Sequence, residues 1–332
     1  MGSFARPPRS DVIQARASGR AVESISLAPA TGQTDTLSMK VFIIGATGYV
    51  GSAIDDSLRA RGYETSGTVR SDEARHALAA RGTEAIKADV CIPQSLAEGC
   101  RAADVVVYAA RITQPEPWNY DTRALRAIAQ ALAGTEKTFI YTSNAWVYGS
   151  TTGVADEDAA LNPPRRFTQR PELERLCMNM TKIGIRSIVV RPGIVYGSGG
   201  GVPAMFAQSA RERGAASIVG DGTNSWATIH REDLGDLFAV LIDRGRPGRV
   251  YNATSEHAFL VRSMAEAASR GAGAGGATAT VDPSFLGELG QCLALDQMIT
   301  SQRAQNLGWI PTGETVIDEL EHGSYQRVLL AS

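Results

Sequence analysis

The stretch Lys40-Val41-Phe42-Ile43-Ile44-Gly45-Ala46-Thr47-Gly48-Tyr49-Val50-Gly51 constrains this chain more than any other, because a short apolar strand runs directly into three glycines spaced G-x-x-G-x-x-G. Gly45 lets the backbone leave the strand in a tight turn, Gly48 lacks the Cβ that would hold a phosphate away, and Gly51 lets the next helix pack closely on the strand. Backbone N–H groups at the start of that helix are free to meet negative charge. The pattern predicts a helix over 53–61 and a second strand over 63–69. Between them it predicts a dinucleotide site in which Gly45, Thr47, Gly48, Tyr49, Val50 and Gly51 take part.

Beyond Met39, strand-like and helix-like segments alternate. Strands are predicted over 40–45, 63–69, 84–88, 104–109, 138–142 and 186–191, separated by Ala-, Leu- and Arg-rich stretches of helical spacing such as 122–133. This is the pattern of a doubly wound α/β fold, a parallel sheet with helices on both faces. Such sheets bind ligands beyond the carboxyl ends of their strands, so the loops after Gly45, Val69, Ala109, Thr142 and Arg191 should meet. After residue 200 the pattern loosens around Gly220-Asp221-Gly222 and Gly271 to Gly276, as expected of a smaller C-terminal lobe. The expected division is a sheet domain over 39–197 that returns near 228–255, and a lobe made mainly of 198–332. Residues 1–38 mix Arg6, Pro7, Pro8, Arg9, Arg16 and Arg20 with small polar residues and have no sustained apolar face, so a disordered extension is expected there.

Composition excludes some functions. A formal net charge of −2 gives no electrostatic case for nucleic acid or an anionic membrane. No apolar run approaches the roughly eighteen residues that a membrane helix needs. Cys91, Cys100, Cys177 and Cys292 show neither metal-ligand nor redox-pair spacing, so they read as small hydrophobes and no metal is expected. A cytoplasmic protein with a small-molecule substrate is expected, and a homodimer is left open.

Further segments fall into order behind the glycine turn: Asp89-Val90, Ala109-Ala110, Thr142-Ser143-Asn144-Ala145-Trp146-Val147-Tyr148-Gly149, Arg191-Pro192-Gly193-Ile194-Val195-Tyr196-Gly197 and Ile229-His230-Arg231-Glu232-Asp233-Leu234. Taken in this order they resemble the extended short-chain dehydrogenase/reductase superfamily, of the NAD-dependent epimerase/dehydratase type, over residues 39 to about 325. The resemblance implies a Rossmann domain that binds NAD or NADP, a smaller substrate domain, and hydride transfer at the nicotinamide C4. It also implies that Asp89, Val90, Ala109, Ala110, Arg111, Thr142, Pro192, Gly193 and Val195 line the cofactor.

Two departures put the usual chemistry in doubt. Members of the superfamily generally carry a catalytic Ser at the position of Asn144, and a Tyr-x-x-x-Lys on the next helix. The best register for that motif here is Phe167-Thr168-Gln169-Arg170-Pro171, and no other Tyr occurs between 149 and 195. With Asp296-Gln297 and Leu307-Gly308-Trp309 near the end, the chain resembles the atypical branch that lacks the usual active-site residues. Pro171, with Glu172 and Glu174 in the first turn, suits a helix start, so the helix is expected to survive without the acid. Arg170 either contacts the nicotinamide ribose or the substrate, or pairs with a surface carboxylate.

Polarisation of an acceptor then falls to Asn144, Ser143 or water, since an amide donor stabilises negative charge without ionising. Tyr148 and Tyr196 follow strand ends and read as proton donors or as core residues. Sugar-nucleotide members usually place an Arg four residues before the His230 position, where this chain has Trp226. Trp226 either joins Trp146 and Phe167 in an apolar pocket or only packs the domain junction, where His230 reads as a satisfied structural residue.

An NAD site wants an Asp or Glu about 20 residues past the glycine turn, to hold the ribose 2′-OH. The second strand instead ends Gly67-Thr68-Val69-Arg70-Ser71, with no acid until Asp72. Arg70, with Ser71 beside it, can meet a 2′-phosphate, so NADP(H) is expected over NAD(H). The combined expectation is an NADPH-binding oxidoreductase acting on a small, largely apolar carbonyl, imine or activated alkene. A redox-neutral isomerase, lyase or cyclase, and a non-catalytic NADP(H) sensor, remain as alternatives.

Overall fold

The computed structural model describes residues 38–255 and 257–327, all within one compact unit. The disorder expected of residues 1–38 therefore falls, but for Ser38, outside the described residues. Seven strands build the main sheet: β1 (Lys40–Ile44), β2 (Glu64–Val69), β3 (Glu84–Lys87), β4 (Val105–Tyr108), β5 (Thr138–Thr142), β6 (Arg186–Pro192) and β7 (Arg249–Ala253). All pairings are parallel and the spatial order is β3-β2-β1-β4-β5-β6-β7. The chain begins in the middle, winds out to β3, then crosses back to β4, and that reversal opens a crevice at the carboxyl ends of β1 and β4. Strands β1 to β6 end within a residue of their predicted limits, and β7 is the return to the sheet from the C-terminal half.

The helices are α1 (Tyr49–Ala60), α2 (Asp72–Ala80), α3 (Ala97–Ala102), α4 (Pro117–Leu132), α5 (Arg170–Asn179), α6 (Ala204–Arg213), α7 (Arg231–Arg244) and α8 (Val261–Gly271), with shorter turns between and after them. Alternate residues of β1 feed opposite cores. Val41 and Ile43 share one core with Ile54 of α1, Leu78 of α2 and Leu237 of α7. Phe42 and Ile44 share the other with Cys100 of α3, Ile128 of α4 and Leu173 of α5. A strand covered on both faces must be apolar wherever it is buried, which is why β1 reads Val-Phe-Ile-Ile after the exposed Lys40 and β4 reads Val-Val-Val-Tyr.

A third core fills the C-terminal lobe, where Trp226 meets Phe206 of α6, Met264 of α8, Leu293 and Leu320. Strand Ile194–Gly197 follows β6 after the single residue Gly193 and pairs in parallel with Ser225–His230, which leads into α7. The lobe is thus rooted at the carboxyl edge of the sheet, beside the crevice.

The glycine turn has the form that its sequence implies. Gly45 adopts φ 96°, and a Cβ there would lie 2.8 Å from the Ala110 backbone. A Cβ on Gly51 would lie 2.0 Å from the Gly45 carbonyl oxygen, whereas one on Gly48 would meet only that oxygen, at 3.2 Å. Gly48 itself caps α1, so the helix begins at Tyr49 and not at 53 as the spacing suggests. Because the atoms facing Gly51 belong to the backbone, Gly51→Ala is expected to destabilise the fold by about 1–3 kcal/mol. Gly153→Ala, with nothing within 4 Å of the added carbon, should change stability by less than about 0.5 kcal/mol. Urea unfolding of the two variants side by side checks the contrast.

Candidate functional site

Of the five loops expected to meet, those after β1, β5 and β6 supply residues to one cavity, and the loop after β4 packs against Gly45. At the ends of β5 and β6 lies a cavity of about 190 Å³, lined by Tyr49, Asn144, Trp146, Pro192, Val195 and Gln297 among others. One wall is the turn Ala145–Tyr148 that follows β5. Gln297, itself buried, holds that turn by donating from its amide to the Ala145 and Gly149 carbonyls, both at 2.9 Å. Its neighbour Asp296 accepts the Ser225 N–H at 2.8 Å, which ties the same wall to the lobe. Tyr49 closes the opposite side, donating from its hydroxyl to the Gly197 carbonyl at 2.7 Å.

The cofactor end is built from backbone. No side chain caps α1, so its first N–H groups stay free for an anion. Thr47 and Gly48 are exposed in front of them and Val50 is half-buried behind. Ala109 and Ala110 follow β4 against Gly45, while Arg111 is exposed. Asp89 accepts the Cys91 N–H at 2.9 Å and so shapes the loop after β3, with Val90 half-buried next to it. Arg70 is exposed at the end of β2. Ser71 has a structural task, accepting the Ala74 N–H at 3.3 Å as the cap of α2.

Thr142 Oγ1, Asn144 Oδ1 and Trp146 Nε1 are buried and have no hydrogen-bond partner among the described residues. A buried polar atom left unpaired costs about 1–3 kcal/mol, so natural folds rarely keep several together. Three such atoms within five residues, at the strand end where cofactor and substrate meet in this architecture, fit a site completed by a nicotinamide dinucleotide and its substrate. Among the described residues, no cluster of three His, Cys, Asp or Glu could hold a metal ion, and no helix is long and apolar enough to cross a membrane.

Other sequence candidates face away from the cavity. Behind its wall, Arg191 at the end of β6 and Glu174 of α5 form an ion pair at 2.7 Å, their side chains only 5% and 4% exposed. The hydroxyl of Ser143 donates to Glu174. Tyr148 accepts from Arg191 at 2.7 Å and donates to Asn252 Oδ1 at 2.7 Å. Ser143 and Tyr148 thus serve this network and do not reach an acceptor. Tyr196 is likewise committed, donating to the Glu314 carbonyl at 2.7 Å. It sits one residue after Val195 on an extended strand, so Val195 lines the cavity while Tyr196 points into the lobe core. Burial raises the pKa of both tyrosines, the opposite of what an acid catalyst needs.

Trp226 also belongs to the lobe interior. Its indole donates to the Leu293 carbonyl at 3.1 Å and its ring stacks on Phe206 at 5.6 Å, so it packs inside the lobe, away from the residues that line the cavity. His230 caps α7, its Nδ1 accepting the Glu232 N–H at 3.4 Å. Arg170 opens α5 with Pro171 in the second position, as the sequence implies. Its guanidinium donates to the Tyr141 hydroxyl and lies 3.8 Å from Asp121, a buried carboxylate of α4 and not a surface one. Tyr108 donates to the same Asp121 at 2.5 Å, and burial pushes this carboxyl above its usual range. Phe167 packs its ring against Trp146 at 5.2 Å and so backs the cavity wall.

The sequence profile of the NAD dependent epimerase/dehydratase family matches residues 41–254. The chain belongs to that family, whose members bind a nicotinamide dinucleotide. It is 28% identical over 297 residues to an uncharacterised protein of Schizosaccharomyces pombe, covering 86% of this chain and 100% of the relative. It is 25% identical over 240 residues to the 4-hydroxy-2-methyl-3-oxo-4-farnesyl-3,4-dihydroquinoline-1-oxide ketoreductase of Stigmatella aurantiaca, covering 68% of this chain and 71% of that one. Among solved structures, the dTDP-glucose 4,6-dehydratase of Bacillus anthracis in complex with NAD shares the fold, with a TM-score of 0.73 at 18% identity over 88% and 97% of the two chains.

Removing one partner of the buried ion pair would strand the other charge. Glu174→Ala is therefore expected to cost about 3–5 kcal/mol of stability at pH 7, measured by urea unfolding.

Proposed function

We propose that the protein is an NADPH-dependent reductase of small, largely apolar ketones that works without a tyrosine acid. The observation that supports this most is Asn144. It stands where family members carry a catalytic serine, lines the cavity, and keeps a buried amide oxygen unpaired. The Stigmatella aurantiaca relative, named as a ketoreductase of an oxo compound bearing a farnesyl chain, supports an apolar ketone over a nucleotide sugar. So does the packing of Trp226 into the lobe core, where it offers no charge to a substrate pyrophosphate.

The bound cofactor supplies a hydride to the carbonyl carbon. The free N–H groups of α1 would hold its pyrophosphate, Arg70 would take the 2′-phosphate, and the unpaired Thr142 hydroxyl would serve its ribose. The Asn144 amide donates to the carbonyl oxygen and stabilises the charge that forms there as the C=O π pair moves onto it. The oxygen then takes its proton from solvent water. Trp146 backed by Phe167 screens the reacting carbon, and Gln297 keeps the wall in register.

Loss of absorbance at the reduced nicotinamide band, on mixing protein, NADPH and a panel of aryl and alkyl ketones, tests the reading. Absence of turnover across the panel counts against it. Asn144→Ala should lower kcat about 10²-fold with cofactor affinity unchanged. Phe167→Tyr combined with Pro171→Lys should bring no gain, and a tenfold rise would point to a decayed version of the ordinary mechanism. For the cofactor, calorimetry should show NADPH bound more tightly than NADH, with Arg70→Ala weakening NADPH by about 1.5–3 kcal/mol. Equal affinity for the two cofactors contradicts the assignment of Arg70.

A further inference from the structure

We infer that the substrate is an α-hydroxy ketone whose two neighbouring oxygens are read together by Asn144 and Trp146; this rests on the reductase reading above. Asn144 and Trp146 line one cavity, and each keeps a buried unpaired atom of opposite character, the acceptor Asn144 Oδ1 and the donor Trp146 Nε1. The surroundings of the pair include Ala145, Pro192, Val195 and Val202, whose side chains cannot satisfy them.

A plain ketone offers acceptor oxygen only. Bound to the Asn144 amide N–H, it leaves Asn144 Oδ1 without a donor and gives the indole no oxygen of its own. A hydroxyl on the adjacent carbon answers both needs. Its proton goes to Asn144 Oδ1 and its oxygen accepts from Trp146 Nε1, while the Asn144 N–H remains on the carbonyl. The donor and acceptor of a primary amide lie side by side in one plane, which matches two oxygens on neighbouring carbons. A serine hydroxyl donates and accepts through one oxygen, whereas the amide presents its donor and its acceptor on two separate atoms, one for each substrate oxygen.

The indole is held in place for this role. Its ring is fixed against Phe167 at 5.2 Å, and the turn that carries it is tied down by Gln297 at both Ala145 and Gly149. A site built to hydrogen-bond a substrate hydroxyl discriminates strongly against the analogue that lacks it, because the protein groups are then left unpaired.

The test is calorimetric and involves no turnover. With the protein saturated in NADP⁺, 2-hydroxyacetophenone should bind at least about tenfold more tightly than acetophenone. Trp146→Phe keeps an aromatic ring and drops the N–H, and it should reduce that preference severalfold with NADP⁺ affinity unchanged. Asn144→Ala should abolish the preference. Equal affinity of the wild-type protein for the two probes overturns the inference, as does failure of the hydroxy ketone to bind up to its solubility limit, or a preference retained in both variants. If either variant fails to fold, the wild-type comparison decides alone. Preferential binding without NADPH consumption leaves this inference standing and removes the reductase reading. Ketone reduction with no preference does the reverse.

Discussion

The buried pair of Arg191 and Glu174 organises everything at the carboxyl edge of the sheet. Taking two charges out of water is costly, and the cost is offset only when geometry and further hydrogen bonds are good. Here the guanidinium reaches both carboxylate oxygens, the Tyr148 hydroxyl and the Glu157 carbonyl, and the carboxylate accepts Ser143 as well. The network binds β5, β6 and α5 together, and through Asn252 it reaches β7. It also draws two hydroxyls into structural work, while Asn144 and Trp146 line the cavity. The burial pattern records that division, since Ser143, Ala145 and Val147 are buried while Thr142, Asn144 and Trp146 are only half so.

The fold was legible because it depends on features that are local in sequence. A strand covered on both faces needs an unbroken apolar run, and a turn under a pyrophosphate needs glycine at fixed spacing. β1 and its glycines announce both. β7 is harder to read, because Arg249-Val250-Tyr251-Asn252-Ala253 mixes polar and apolar residues. Its Asn252 is buried only because Glu157, Tyr148 and Thr300 arrive to satisfy it.

The glycine turn was legible for the same reason, and the chemical end of the site much less so. What a hydroxyl or an indole does depends on which side of its strand it faces and on partners far along the chain. Ser143 is claimed by a residue 31 positions away, Tyr148 by one 104 positions away, and Trp226 by one 67 positions away. No spacing rule reports such partners. Gln297 is a similar case: nothing in its sequence context announces the two carbonyls that it holds across the turn carrying Asn144 and Trp146.

α5 (Arg170–Asn179) is tied into the structure from its first residue. α5 begins at Arg170 and Pro171, and Leu173, Glu174 and Cys177 turn inward to meet the sheet. The cation at its start is taken up by Tyr141 and Asp121, and its pull on the Tyr141 phenol is outweighed by burial, which raises that pKa. The buried phenols Tyr108, Tyr141 and Tyr148 and the half-buried Tyr49 of the cavity wall instead all have pKa values raised by desolvation. Phenols held in this way keep their protons at neutral pH and are weaker acids than a free tyrosine. Under the proposed function, stabilisation by fixed dipoles takes the place of proton transfer during hydride addition. Such dipoles act most strongly where water is excluded, and that is the setting the apolar wall of Trp146 and Phe167 provides.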